Sequence, residues 1–250
     1  MLQTLFENAK IYMSLEEKEK NITNKQIYSC ILQQKYTKYE HTCVRLYRDN
    51  YMRINIKWEK MWAFSFQTYC PNRMFEITWL LRHYALYTGD KIYKMYPRLP
   101  APKCHSCDEC GIEDILHPFV TCASAKPIWA FFANIFSDIL EGEYPCWKLS
   151  LGLYISNNSI STERKRLALL LTTIINYYLW WQHNSNKYQK KTKIKYSNTI
   201  TLIIQYIKLN INTHYKILGG ETQQLKFAKR FCISRALCTL SPEGMPIFTL

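Results

Sequence analysis

Between residues 104 and 122 the chain concentrates side chains that bind metals. Cys104 and Cys107 are separated by two residues, His117 follows after nine more, and Cys122 after another four. The two-residue spacing lets two thiolates bind one zinc ion at about 2.3 Å, and three thiolates with one imidazole complete a tetrahedral shell. A full shell leaves no position for a reactive water. We therefore expect one structural zinc ion, held by these four residues, in a loop that we call the knuckle (residues 104–122).

Two further residues of the knuckle are candidate ligands. His105 lies next to Cys104, and Cys110 forms a second two-residue pair with Cys107, so either could replace a member of the set. The competing interpretation is a group of reduced, buried thiols beside an ordinary histidine. Four ligand-type residues at chelating spacing favour zinc. The cysteines outside the knuckle lack paired spacing and are interpreted as core thiols: Cys30, Cys43, Cys70, Cys146, Cys232 and Cys238.

The knuckle and the residues around it resemble a known family. The cysteine–histidine set, with Glu113 inside it and Trp129 seven residues after its last cysteine, is similar to the zinc-binding region that follows the reverse transcriptase in LINE-type (non-LTR) retrotransposon proteins. The resemblance covers roughly 26–183. Its weaker landmarks are Ile27-Tyr28, Trp58, Trp62, Phe75, Trp79, Thr88-Gly89 and Leu179-Trp180-Trp181.

The resemblance implies both a cofactor and a class of partner. It implies that Cys104, Cys107, His117 and Cys122 bind zinc, and that the region contacts RNA or DNA during reverse transcription. The sequence contains no adjacent Asp-Asp pair of a polymerase palm, no Walker loop and no Gly-x-Ser-x-Gly. We therefore expect a non-catalytic protein without polymerase or endonuclease activity.

Charge indicates where a nucleic acid would be held. The chain carries a formal net charge of +14, which favours polyanionic partners. Residues 101–160 contain 3 basic and 7 acidic side chains, whereas residues 161–250 contain 14 basic and 3 acidic ones. Phosphate contacts are thus expected outside the acidic knuckle. The densest run, which we call the basic segment, consists of Lys187, Lys190, Lys191, Lys193 and Lys195.

Aromatic side chains precede the basic segment. Exposed aromatics could stack nucleobases, but Leu167, Leu171 and Ile175 define a helical stripe that needs apolar neighbours, so core packing is favoured. The residues concerned are Tyr177, Tyr178, Trp180 and Trp181. Phe119 and Trp129 are likewise expected in the core.

Low glycine content and long apolar periodicity predict a mainly α fold with helical segments around a small zinc-tied loop and little or no sheet. Gly89 is predicted to end one helix in the left-handed conformation, and 142–152 to be a loop. The expected helices lie at 54–66, around 75–83, from Asp90 to Tyr96, from Pro127 to Leu140, and at 161–188, 198–216 and 221–238. β-branched residues leave a strand possible for 198–216.

The predicted organisation has four segments. They are a polar N-terminal helix or linker (1–25), a helical region upstream of the knuckle (26–100), the knuckle with its following helix (101–140) and a basic helical C-terminal region (141–250). No signal peptide is expected, and the apolar run 167–181 is too short to span a membrane. With ten cysteines, an intracellular, reducing location is expected. Two other functions stay open: a helical protein-interaction module, or a decayed retrotransposon fragment with a purely structural zinc site.

Overall fold

A computed structural model describes 43–45, 47, 58–65, 71–98, 103–107, 113–188, 193–218 and 221–250. The chain divides into two compact units, 1–53 and 54–250. Only Cys43, Val44, Arg45 and Tyr47 are described in the first unit, and all elements below belong to the second. The finer four-segment organisation stays a prediction.

The second unit is built from helices. Its described residues form α1 (Trp58–Ser65), α2 (Asn72–Arg82), α3 (Gly89–Met95), α4 (Lys126–Leu140), α5 (Cys146–Leu151), α6 (Thr162–Tyr188), α7 (Tyr196–Leu218) and α8 (Glu221–Phe231). A π-helix (His117–Thr121) follows the first part of the knuckle, and a 3-10 turn (Leu153–Ser156) follows α5. Among described residues the only strands, β1 (Cys238–Leu240) and β2 (Pro246–Phe248), pair antiparallel. The prediction of a mainly α fold is confirmed.

Helix α6 is the centre of this unit. Ten consecutive residues, 167–176, are buried, and α2, α4, α5, α7 and α8 all pack against this helix. A helix that is apolar on nearly all sides is stable only in such a core. No helix of the described residues is long and apolar enough to cross a membrane.

One buried amide joins three helices inside the core. Asn176 of α6 donates from Nδ2 to Thr78 Oγ1 (3.3 Å) and to the Ser150 carbonyl (3.0 Å). Its Oδ1 accepts a hydrogen bond from Ser150 Oγ at 3.0 Å. Because a buried polar group costs free energy unless it is paired, this network fixes α2 and α5 on α6.

Three predictions of helix positions are wrong. The helix expected at 221–238 ends at Phe231, and Cys238 begins β1. Helix α2 ends at Arg82, and the left-handed residue after it is Tyr84 (φ 54°), not Gly89. Gly89 instead begins α3, with Thr88 as the N-cap residue. The predicted loop at 142–152 contains α5, a six-residue helix too short to show apolar periodicity.

The predictions for the helices around and after the knuckle are largely confirmed. Helix α4 carries Pro127 in its first turn and ends at Leu140, as expected. Of its aromatic residues, Phe131 is exposed. The segment after residue 196 is the helix α7 rather than a strand, because it buries Ile203, Ile207 and Ile211 at four-residue intervals.

Candidate metal centre

The four predicted ligands converge from two short pieces of chain. Cys104 and Cys107 lie in the irregular segment 103–107, whereas His117 begins the π-helix and Cys122 follows it. Hydrogen bonds in a π-helix join residues five apart, and the Cys122 N–H donates to the His117 carbonyl at 2.9 Å. The five-residue spacing of this pair therefore matches one π-turn, which delivers both side chains to one place.

The side-chain atoms of the four residues are close enough to share one ion. Their Sγ and imidazole nitrogen atoms all lie within 4.8 Å of one another, and all four residues are buried. The Cys104 and Cys122 sulfurs are 3.9 Å apart, close to the roughly 3.8 Å that two sulfurs take on a tetrahedral zinc with 2.3 Å bonds. Cys107 Sγ lies 3.2 Å from His117 Nε2. Three thiols and one imidazole fit zinc.

The imidazole of His117 is oriented by its neighbours. Its Nδ1 is 3.0 Å from Thr121 Oγ1, on the same π-turn. When Nδ1–H donates to this hydroxyl, Nε2 carries the lone pair and faces Cys107, which is how ligating histidines are usually held. Asp114 Oδ1 accepts the backbone N–H of His117 at 2.7 Å and fixes the start of the turn.

The electrostatics of the cluster reflect thiols and an imidazole packed together. A hydrogen bond between Cys104 and Cys122, aided by burial, raises the pKa of Cys104 to about 12, while the same bond lowers the pKa of Cys122. Burial lowers the pKa of His117, but its interactions with Cys104 and Cys107 outweigh burial and raise this pKa to about 9. A divalent ion would replace these shared protons, so zinc binding releases protons.

A buried glutamate–histidine pair lies against the four candidate zinc ligands. His183 of α6 places Nε2 3.3 Å from Glu113 Oε1, and both side chains are 4% exposed. Together with Cys104 their ligand atoms lie within 4.8 Å of one another. Burial raises the pKa of Glu113 to about 7 and lowers that of His183 to about 4. The sequence singled out Glu113 but not His183, which has no spacing signal because it comes from a helix that begins 40 residues after Cys122.

Aromatic packing ties the knuckle to α4 and α6. Phe119 is fully buried and stacks on Trp180, with ring centroids 5.8 Å apart and an angle of 7° between planes. Trp129 donates from Nε1 to the Phe119 carbonyl at 2.6 Å. Phe119 and Trp129 are thus core residues, as expected, and they hold the π-helix against both helices.

The other candidate residues have different environments. His105 is exposed, and Cys110 lies outside the described residues. Of the remaining cysteines, Cys43 and Cys238 are buried and Cys146 and Cys232 half-buried, while Cys30 and Cys70 lie outside the described residues.

The basic segment is described in part. Lys187 is half-buried at the end of α6, and Lys193 and Lys195 are exposed just before α7. Lys190 and Lys191 lie outside the described residues. The aromatic residues on the same helix are less buried than core packing predicts: Tyr177, Tyr178 and Trp180 are half-buried, and Trp181 is 36% exposed.

The zinc-type donor set lies within a recognised family region. Residues 41–129 match the family model described as zinc-binding in reverse transcriptase. The resemblance to a zinc-binding region of reverse transcriptases is confirmed for this part of the chain, which includes the whole ligand set. No curated protein and no solved structure matches the chain.

Proposed function

We propose that the chain is a non-catalytic, zinc-stabilised nucleic-acid-binding protein of LINE-type retrotransposon origin. The observation that carries the proposal is the coincidence of the family match with a buried set of three cysteines and one histidine whose ligand atoms lie close together. The zinc ion is structural, because four protein ligands fill its shell. Its role is to hold the knuckle in the shape that receives α6.

The affinity for nucleic acid comes from the C-terminal region rather than from the knuckle. Residues 101–160 have a net charge of −4, and three thiolates on a divalent ion add a further negative charge there. Residues 161–250 have a net charge of +11. Phosphates are therefore attracted to the basic segment and the helices beside it.

A salt series tests this proposal. Zinc-loaded protein is mixed with a labelled RNA hairpin or DNA duplex, and the logarithm of affinity is plotted against that of salt concentration. We expect a slope of about −0.9 for each phosphate contact on a duplex. The double variant Lys193→Gln/Lys195→Gln should make this slope shallower by about one to two contacts.

A matched control tests whether binding depends on the position of the lysines or only on the total charge of the protein. The double variant Lys103→Gln/Lys126→Gln removes two exposed lysines near the acidic knuckle. It should leave the slope nearly unchanged. Equal losses in the two variants would show that only net charge matters, and absence of binding by the zinc-loaded protein at low salt would contradict the proposal.

A further inference from the structure

A groove lined by aromatic side chains lies between the first turns of α2 and the last turns of α6. It encloses about 430 Å³, within the range of about 300–1,000 Å³ of small-molecule pockets. The α6 wall presents Tyr177, Trp180, Trp181 and Tyr188, which share one helix face because they fall at positions i, i+3, i+4 and i+11. Arg73 and Glu76 of α2 form the opposite wall. We call this feature the aromatic groove.

The aromatic rings of this groove are accessible. Tyr188 is 72% exposed, the highest value for an aromatic side chain among the described residues, and Trp181 is 36% exposed. Isolated exposed apolar residues need no explanation, but several that line one concave site indicate binding. The Lys187 Nζ lies 5.5 Å from the centre of the Tyr188 ring, so positive charge begins at the rim of the groove.

Charge complementarity selects the occupant. Lys187 lies beside Tyr188 at one end of the groove, and Arg73 stands on the other wall. Lys193 and Lys195, which are exposed, follow Tyr188 in the chain. Glu76 is the only acidic side chain among the lining residues. A ligand that suits this arrangement has flat apolar parts for the rings and regularly spaced negative charges for the lysines. An unpaired nucleic-acid strand has both, whereas a duplex hides the faces of its bases.

We propose that the aromatic groove binds one or two unpaired bases of a single strand, while Lys187, Lys193 and Lys195 hold its phosphates. This inference rests on the proposed function and adds the form of nucleic acid that is preferred. Trp181 and Tyr188 supply the stacking surface. Trp180 is already stacked on Phe119, so it forms the floor of the groove and connects it to the knuckle.

Two strands that differ only in their bases test the proposal. Zinc-loaded full-length protein is titrated with oligothymidylate of about ten nucleotides, a typical site size, and with an abasic strand of equal length and phosphate number. The corresponding oligouridylate shows whether RNA behaves in the same way. We expect the base-bearing strands to bind about tenfold more tightly, with quenching of tryptophan fluorescence.

Substitutions show which side chains produce the difference in affinity between base-bearing and abasic strands. Trp181→Ala and Tyr188→Ala should bring the two affinities together without weakening the abasic strand, and Trp181→Phe should retain part of the preference. Phe131→Ala, which removes an exposed ring of α4, is the matched control and should have no effect. Lys193→Gln/Lys195→Gln should weaken both strands equally.

The outcomes separate the two proposals. Equal, salt-dependent binding of base-bearing and abasic strands would contradict base binding by the aromatic groove and leave the proposed function intact. A base preference that survives both alanine variants would also contradict base binding by this groove. No binding of either strand or of duplex at low salt would overturn both proposals.

Discussion

Asn186 of α6 and Ser106 of the knuckle, 80 residues apart in sequence, are joined by a hydrogen bond of 3.0 Å from Asn186 Nδ2 to Ser106 Oγ. The other end of the same amide, Oδ1, accepts the backbone N–H of Ile194 at 2.7 Å. Ile194 lies between Lys193 and Lys195. One side chain thus connects the candidate zinc loop to the basic segment, and the order of one should affect the other.

Replacing the Asn186 amide should destabilise both the knuckle at Ser106 and the chain at Ile194. Asn186→Ala leaves the Ile194 N–H and the Ser106 hydroxyl without their partner, and we expect a loss of about 1–3 kcal/mol in the free energy of unfolding. Chemical denaturation of the zinc-loaded protein measures it. Asn212→Ala, an exposed change in α7, is the control and should lie within about 0.5 kcal/mol of the parent. Equal stability of the two variants would show that the bond contributes nothing.

Thr121 should tune the affinity for zinc without being a ligand. Thr121→Val removes the hydroxyl that faces His117 Nδ1, and loss of such a partner typically weakens metal binding by about 10–100-fold. Thr121→Ser keeps the hydroxyl and is expected to bind zinc like the parent. Competition with a chromophoric chelator gives both affinities. If valine and serine variants bind zinc equally, His117 is not oriented through Thr121.

Removal of zinc should reduce the local stability of α6 as well as that of the knuckle. Without the ion the 103–107 segment loses its link to His117, and the stacking of Phe119 on Trp180 is no longer held from the knuckle side. We expect chelation to increase hydrogen exchange in 103–107, in 113–125 and in the last turns of α6, while 167–176 stays protected in the core.

Two cysteine variants test the same prediction by hydrogen exchange. Cys122→Ser should reproduce the exchange pattern of the chelated protein, whereas Cys146→Ser, outside the ligand set, should not. Unchanged exchange after complete removal of zinc would contradict a structural role for the ion.

How much the sequence predicted depended on the range of the contacts involved. The ligand set lies within 19 residues and comes from two short pieces of chain, so spacing alone identified a cluster that the structure brings together. Helix α4 was predicted closely because Pro127 marks its start and its apolar residues repeat regularly. In contrast, His183 meets Glu113 only through the packing of α6, and no local pattern carries that information.

The errors have equally specific causes. Gly89 was expected to end a helix because glycine favours the left-handed conformation there. The structure uses Tyr84 at that place, and the Tyr84 hydroxyl lies 3.4 Å from Asp90 Oδ2, in the next helix. A tertiary contact thus accompanies a conformation that local preference disfavours. The half-buried aromatics of α6 were expected in the core because periodicity identifies a helix face but not what covers it.

Replacement of Gly152 should destabilise the second unit (54–250) strongly. It ends α5 with φ of 75°, where a side chain is strained, and a Cβ there would collide with the Arg82 guanidinium. Arg82 cannot easily retreat, because it is fully buried and its Nε donates to the Leu151 carbonyl at 2.9 Å. We expect Gly152→Ala to lower the free energy of unfolding by about 2 kcal/mol or more, since strain and overpacking add.

A second glycine makes this prediction specific. At Gly142 no neighbouring side chain lies within 4 Å of the place that a Cβ would occupy, and this glycine does not adopt the left-handed conformation. Gly142→Ala should therefore be neutral or slightly stabilising, because alanine reduces the freedom of the unfolded chain. Thermal denaturation of the two variants side by side gives the comparison. Equal shifts would mean that Arg82 moves aside at little cost, and the close approach of α2 to the end of α5 would then not constrain the fold.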